Sequence, residues 1–199
     1  HVGITESGEL DLADFRAKLS ERTRLVSLVH ISNALGCCNP LGEVIPLAHK
    51  VGALVLVDAC QSLAHKPTDV AALGADFLVA SSHKLCGPTG MGFLWAREAL
   101  LEAMPPFLGG GEMIQDVFLD HSTWADLPHK FEAGTPAIGE AVGMGAAIRY
   151  LQAVGLEAIQ AEPAVVLVGH REGAHHPAQL LLADGHSCLE QNGLELLLL

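Results

Sequence analysis

Positive charge is scarce in this sequence. Eleven Lys and Arg face 23 Asp and Glu, for a formal net charge of -12, and no stretch gathers the cations into a cluster. Nucleic acids and anionic membranes are held by concentrated positive patches, so neither is the expected partner. A small-molecule ligand is the better expectation, and a phosphate on it could be held by backbone amides and hydroxyls without a basic face. Cys-x-x-Cys pairs are missing too. The five cysteines, Cys37, Cys38, Cys60, Cys86 and Cys188, are odd in number and sit in apolar or Gly-rich segments. That pattern points to reduced thiols rather than to a disulfide framework. No apolar run reaches the roughly 18 residues that cross a bilayer as a helix. The chain opens at His1 with neither a signal-peptide nor a transit-peptide pattern, and it reads as a sequence that has lost its beginning.

What is present is a chain of 199 residues, half of them hydrophobic, long enough for one substantial core followed by a tail. Leu10, Leu12, Phe15 and Leu19 among charges suit a short amphipathic helix. Leu25 to Val29 is an apolar run of strand length that ends in His30-Ile-Ser-Asn33. Pro40 then opens a helical pattern closed by Gly52, with proline near the first turn and glycine past the last. A second buried strand, Ala53 to Val57, ends in Asp58; a short helix follows near Asp69 to Leu73; a third strand, Phe77 to Ala80, runs into Ser81-Ser-His83-Lys84; a fourth covers Gly92 to Trp95. Strands apolar on both faces that alternate with helices indicate an α/β domain with a mostly parallel sheet covered on both sides. The Gly- and Pro-rich stretch 105–136 reads as a long functional loop, and Gly139 to Ala153 as a helix whose small residues, Gly143, Ala146 and Ala147, suit close packing.

In such sheets the ligand lies beyond the carboxyl ends of the strands. His30, Asn33, Asp58, Gln61, Ser81, His83 and Lys84 all fall at or just after those ends. A lysine directly after a buried strand needs a use, because a lone ammonium is costly to keep there. A salt-bridged or snorkelling lysine is the bland alternative. Asp58, closing the neighbouring apolar strand, wants a cation; a protonated pyridine nitrogen suits that role, and the lysine and acid together match the pyridoxal-phosphate pattern. A helix cap or metal ligand is the alternative for Asp58. Ser81 and His83 offer donors for a phosphate, Gln61 could reach a ring hydroxyl, and Asn33 could orient cofactor or substrate. Gly87-Pro-Thr-Gly-Met-Gly92 lacks the Lys-Ser/Thr ending of a Walker A loop and precedes a strand. The tail set His170, His175, His176, His186 and Cys188 matches no common zinc spacing, so no metal site is expected.

These residues resemble the class V aminotransferases of fold-type I and, within them, the group II cysteine desulfurases of the NifS/SufS type. The resemblance rests on His30-Ile-Ser-Asn-Ala-Leu-Gly36, Val57-Asp-Ala-Cys-Gln-Ser62, Asp76-Phe-Leu-Val-Ala-Ser-Ser-His-Lys-Leu-Cys-Gly-Pro-Thr-Gly-Met-Gly92, Met104-Pro-Pro-Phe-Leu-Gly-Gly-Gly-Glu-Met-Ile114 and Phe131-Glu-Ala-Gly-Thr-Pro136. It runs from about Leu10 to Leu156, and its wording is closest to cyanobacterial and plastid forms. It implies a partial large domain over residues 1–159 with an atypical tail over 160–199. It further implies pyridoxal 5'-phosphate as cofactor, L-cysteine as substrate, a homodimer, a sulfur-acceptor protein, iron-sulfur cluster assembly as destination, and a plastid or bacterial cytoplasm as setting. By the same resemblance Lys84 is the Schiff-base lysine and, with His83, the catalytic pair. Asp58 meets the pyridine nitrogen, Gln61 the ring oxygen, Ser81 and His83 the phosphate, Asn33 the cofactor or substrate, and Thr135 the phosphate of the neighbouring subunit. The family's N-terminal segment, with a histidine that stacks on the ring, and its C-terminal domain, with a substrate-binding arginine and the sulfur-accepting cysteine, have no counterpart in the 199 residues. Cys188 does not inherit that role. An inactive remnant, a partner-binding isoform, another class V aminotransferase or a selenocysteine lyase are the alternatives.

Overall fold

Four apolar five-residue runs build the sheet of the computed structural model, which describes residues 1–161. The strands are β1 (Leu25–Val29), β2 (Leu54–Asp58), β3 (Phe77–Ser81) and β4 (Gly92–Ala96), in the order β1-β2-β3-β4. β1, β2 and β3 are parallel, while β4 returns antiparallel along β3 with Ser81 beside Gly92. The helices are α1 (Leu12–Lys18), α2 (Leu41–Lys50), α3 (Val70–Leu73), α4 (Glu98–Ala103), α5 (Ile138–Val154) and α6 (Leu156–Ala161). α2 crosses from β1 to β2 and α3 from β2 to β3, the connection that parallel pairs require. Most of the expected tail, 162–199, lies outside the described residues, and with it the His and Cys set from His170 to Cys188.

Side chains fix the element ends. Asp11 caps α1 and Asp69 caps α3, each accepting two main-chain N–H bonds of 2.9 to 3.1 Å. Gly74 closes α3 at φ +76°, a left-handed conformation costly for any side chain. The core lies on one face of the sheet: Leu41, Ile45 and Ala48 of α2 pack on Val55 and Val57 of β2, Leu78 of β3 and Ala75. Ile45 is only 3% exposed there. Ile45→Ala is expected to cost about 2–5 kcal/mol through lost burial and the cavity left behind; a urea midpoint within error of wild type would refute that packing.

The sequence led to a sheet covered on both faces, and here the structure differs. Leu25, Leu54, Leu56, Asp58 and Leu94 share the second face by register, and Leu25 is 51% and Leu94 39% exposed. A run apolar on both sides reports what a strand can bury, and among the described residues little covers that side. A second correction concerns 105–136. It holds β5 (Ile114–Val117) and β6 (Ser122–Trp124), an antiparallel pair, and a 3-10 turn at His129–Phe131. Met113 is fully buried, and buried Lys130 donates to the carbonyls of Leu101 and Glu102 at 3.0 and 2.9 Å, closing the end of α4.

Candidate active site

The carboxyl ends of β1, β2 and β3 lie side by side. The His30 N–H donates to the Asp58 carbonyl at 2.8 Å and the Ala59 N–H to the Val79 carbonyl at 2.9 Å, so the ladder extends to the point where the polar residues begin. Asp58 pairs with Val79 in register, which puts Asp58, Val79 and Ser81 on one face. Gln61 follows in the turn after β2. Lys84 sits in the 3-10 turn Ser82–Leu85 that leaves β3.

That turn is fastened tightly. The Ser82 N–H donates to the Met91 carbonyl at 2.9 Å, and the Gly87 N–H returns to the Ser82 carbonyl at 3.0 Å. Leu85 is buried against Met144 and Leu151 of α5. Gly143 lets α5 close on the turn, since a Cβ there would stand 3.0 Å from Pro88 Cγ. Of the three small residues that the sequence offered for close packing, Gly143 and Ala147 are turned inward and Ala146 is exposed. Gly92 performs the same service for β4, where a Cβ would meet the Ala80 carbonyl oxygen at 2.7 Å. Cys86 closes the turn at φ 60°, an uncommon conformation for a residue with a Cβ.

Within this frame the acid and the amine are both unpaired. The Asp58 carboxylate accepts the Cys60 N–H through Oδ1 at 2.9 Å and also engages the Cys60 thiol, while no cation reaches it among the described residues. Lys84, half-buried, has no hydrogen-bonding or ionic partner among them, in contrast to Lys18, Lys66 and Lys130. The side chains of Gln61, His83 and Asn33 likewise have no hydrogen-bonding partner among the described residues. Among the described residues the Ser81 hydroxyl meets one side-chain group, the Cys60 thiol at 3.6 Å, a residue that the sequence reading had not placed in the site. Cys60 is separated from Ser81 by a whole crossover, so only strand register reveals the pair. Asn33 is exposed in the turn after β1, whose next N–H groups, from Ala34 and Leu35, go to Ser32 Oγ. Thr135 sits apart, on an exposed loop tied to the glycine stretch by Gly134 N–H to the Gly111 carbonyl, 2.9 Å.

His30 belongs to the other face. Its Nδ1 is buried without a partner, and burial, followed by the charge of Lys66, lowers its pKa below the usual 6.5; burial alone lowers that of His65. With both folded-state values lowered, the unfolded chain binds more protons than the folded one as pH falls through 6.5. Stability is therefore expected to fall as pH drops through and below that value. Urea midpoints near neutrality and at mildly acid pH, compared with a His30→Gln/His65→Gln double variant, check it: the acid loss should be smaller in the variant.

The sequence profile described as Aminotransferase class-V matches residues 1–166. The chain belongs to that family. A probable cysteine desulfurase of Synechocystis sp. is 60% identical over 158 residues, 79% of this chain and 38% of the relative. A cysteine desulfurase of Dickeya dadantii is 50% identical over 165 residues, 82% of this chain and 40% of the relative. Among solved structures, the Escherichia coli cysteine desulfurase CsdA in an S-sulfonic acid form superposes with a TM-score of 0.75 at 39% identity, covering 80% of this chain and 39% of that one. The apo cysteine desulfurase of Thermococcus onnurineus NA1 gives 0.76 at 41%, covering 81% and 40%. The chain thus spans about two fifths of the length of these relatives. Over that part it carries the α/β architecture of fold-type I transferases, the class of pyridoxal-phosphate enzymes to which this family belongs.

The residues present fit such a cofactor. An unpaired carboxylate suits a protonated ring nitrogen, an unpaired primary amine suits an aldehyde, and the Ser81 hydroxyl beside the turn amides suits a phosphate ester.

Proposed function

We propose that this chain is the cofactor-binding part of a cysteine desulfurase that takes sulfur from L-cysteine, leaving L-alanine, for iron-sulfur cluster assembly. We assign it to group II, in the cyanobacterial and plastid style. The carrying observation is that Asp58 and Lys84 stand unpaired at the ends of adjoining strands. Two buried-edge charges of opposite sign that do not neutralise each other are poised for a ligand between them.

Residues 1–159 form part of the large domain in this reading. Pyridoxal phosphate, when bound, supplies an electron-withdrawing ring that stabilises negative charge at the α-carbon of an amino acid. Lys84 offers its amine to the cofactor aldehyde and, with His83 beside it, moves protons at the substrate carbon. Asp58 holds the ring nitrogen protonated. Gln61 meets the ring oxygen, Ser81 and His83 the phosphate, and Asn33 orients cofactor or substrate. Thr135 serves the phosphate of a neighbouring subunit, in keeping with its place on a separate exposed loop. Val117, Phe118 and Leu119, exposed at the β5-β6 tip, support a partner subunit, since such an apolar tip is better covered than left in water.

The test is a product assay on the complete protein of which this chain is the cofactor-binding part, loaded with pyridoxal phosphate. Alanine and sulfide from L-cysteine in equal amounts, with dithiothreitol to release the sulfur, is the expected result. Keto acid formation instead would indicate transamination, and turnover confined to selenocysteine would indicate a lyase for that substrate; either overturns the assignment.

A further inference from the structure

We infer that Cys60 is a positioning residue for the phosphate end of the ligand: its thiol donates to Ser81 Oγ and so directs the hydroxyl's own proton away from the protein, toward an anion. The inference rests on the proposed cofactor reading and extends it to a residue outside the assigned set.

The geometry carries it. Cys60 is held by its main chain, because its N–H is fixed on Asp58 Oδ1 at 2.9 Å, and its sulfur lies 3.6 Å from Ser81 Oγ. A serine hydroxyl has one proton to give and two lone pairs to receive with. If one lone pair is occupied by the thiol, and no other protein group takes the proton, the hydroxyl is left as a one-way donor. The thiol is suited to the donor part. Burial raises the thiol's pKa, the hydrogen bond with Ser81 lowers it in part, and the Asp58 carboxylate, both hydrogen-bonded to the thiol and charged, raises it again, so the proton stays on sulfur, shared between the two oxygens that face it. An anionic ligand that accepts from Ser81 then meets a hydroxyl already polarised by the bond behind it. A cysteine that only filled space would leave the hydroxyl free to rotate inward.

Two measurements decide it. In the ligand-free protein, the S–H stretching band, isolated as wild type minus Cys60→Ala, is expected at lower frequency than a free thiol and should move up in Ser81→Ala. Titration with pyridoxal phosphate, followed by absorbance, is expected to show about two- to tenfold weaker binding for Cys60→Ala, the worth of one neutral hydrogen bond. Cys60→Ser should restore affinity, and Cys60→Ala should add nothing in the Ser81→Ala background. Pyridoxal, which lacks the phosphate, should bind the wild type and Cys60→Ala alike. An unshifted S–H band, an undiminished loss in the Ser81→Ala background, or an equal loss for pyridoxal would each overturn the inference. Wild-type protein that binds no pyridoxal phosphate while the band shift persists would instead overturn the proposed function and the ligand end of this inference, leaving the thiol-hydroxyl bond as a structural one.

Discussion

Lys84→Ala is expected to abolish covalent retention of pyridoxal phosphate, with labelling after borohydride reduction falling from near one cofactor per chain to background. The chain has five lysines, which makes the comparison internal. Lys18 is ion-paired with Asp14 at 2.6 Å, Lys66 lies against Cys38 Sγ at 3.7 Å, and Lys130 is buried with its ammonium on two carbonyls. Lys50 is exposed on α2, remote from the strand ends. Only Lys84 combines partial burial, a fastened turn and an unengaged amine. An amine with no carboxylate or carbonyl to be released from is free to meet an aldehyde. The substitution should leave folding largely intact, since Ser82 and Leu85, not Lys84, anchor the turn. Peptide mapping by mass spectrometry after a stoichiometric load is the check. A label on Lys50 or Lys66 in the wild type would overturn the assignment.

Asp58→Asn is expected to lower the rate of alanine formation by about 10²- to 10³-fold at saturating cofactor, the scale of removing one member of a partly buried charge pair. Asparagine is chosen because its side-chain oxygen still accepts the Cys60 N–H, so the turn after β2 keeps its anchor while the charge is gone. Stability should therefore change little, and its thermal midpoint serves as the control. The loss should appear in kcat at saturating substrate, because an electron sink acts on the transition state rather than on ground-state binding. A variant with wild-type kcat would remove Asp58 from the ring nitrogen.

How much of this was legible beforehand depends on the kind of signal. β1, β2 and β3 were visible because each is a short apolar run with a polar stop, and α3, though only four residues long, was betrayed by Asp69 and Gly74 at its ends. α4 was missed, as Glu98–Ala103 offers one turn of weak periodicity before Met104 and Pro105. The β5-β6 pair escaped because its exposed strands lack alternation and its turn lacks the usual glycine or asparagine. The polar residues that follow the strands were located at the strand ends from sequence. Cys60 was not, since its partner Ser81 is 21 positions away and only the register of β2 on β3 makes them neighbours. Thr135 entered through resemblance alone, and nothing in its exposed loop would have singled it out.

The antiparallel return of β4 has a consequence for how the lysine finds its place. Ser81 and Gly92 pair across a ten-residue excursion, whereas Val29 and Asp58 pair across twenty-eight. Loop-closure entropy grows with the logarithm of length, so the shorter closure is cheaper by about 1 kcal/mol. Lys84 thus rides on the most local pairing in the sheet, whose formation draws on a few adjacent residues and waits on no distant part of the polypeptide.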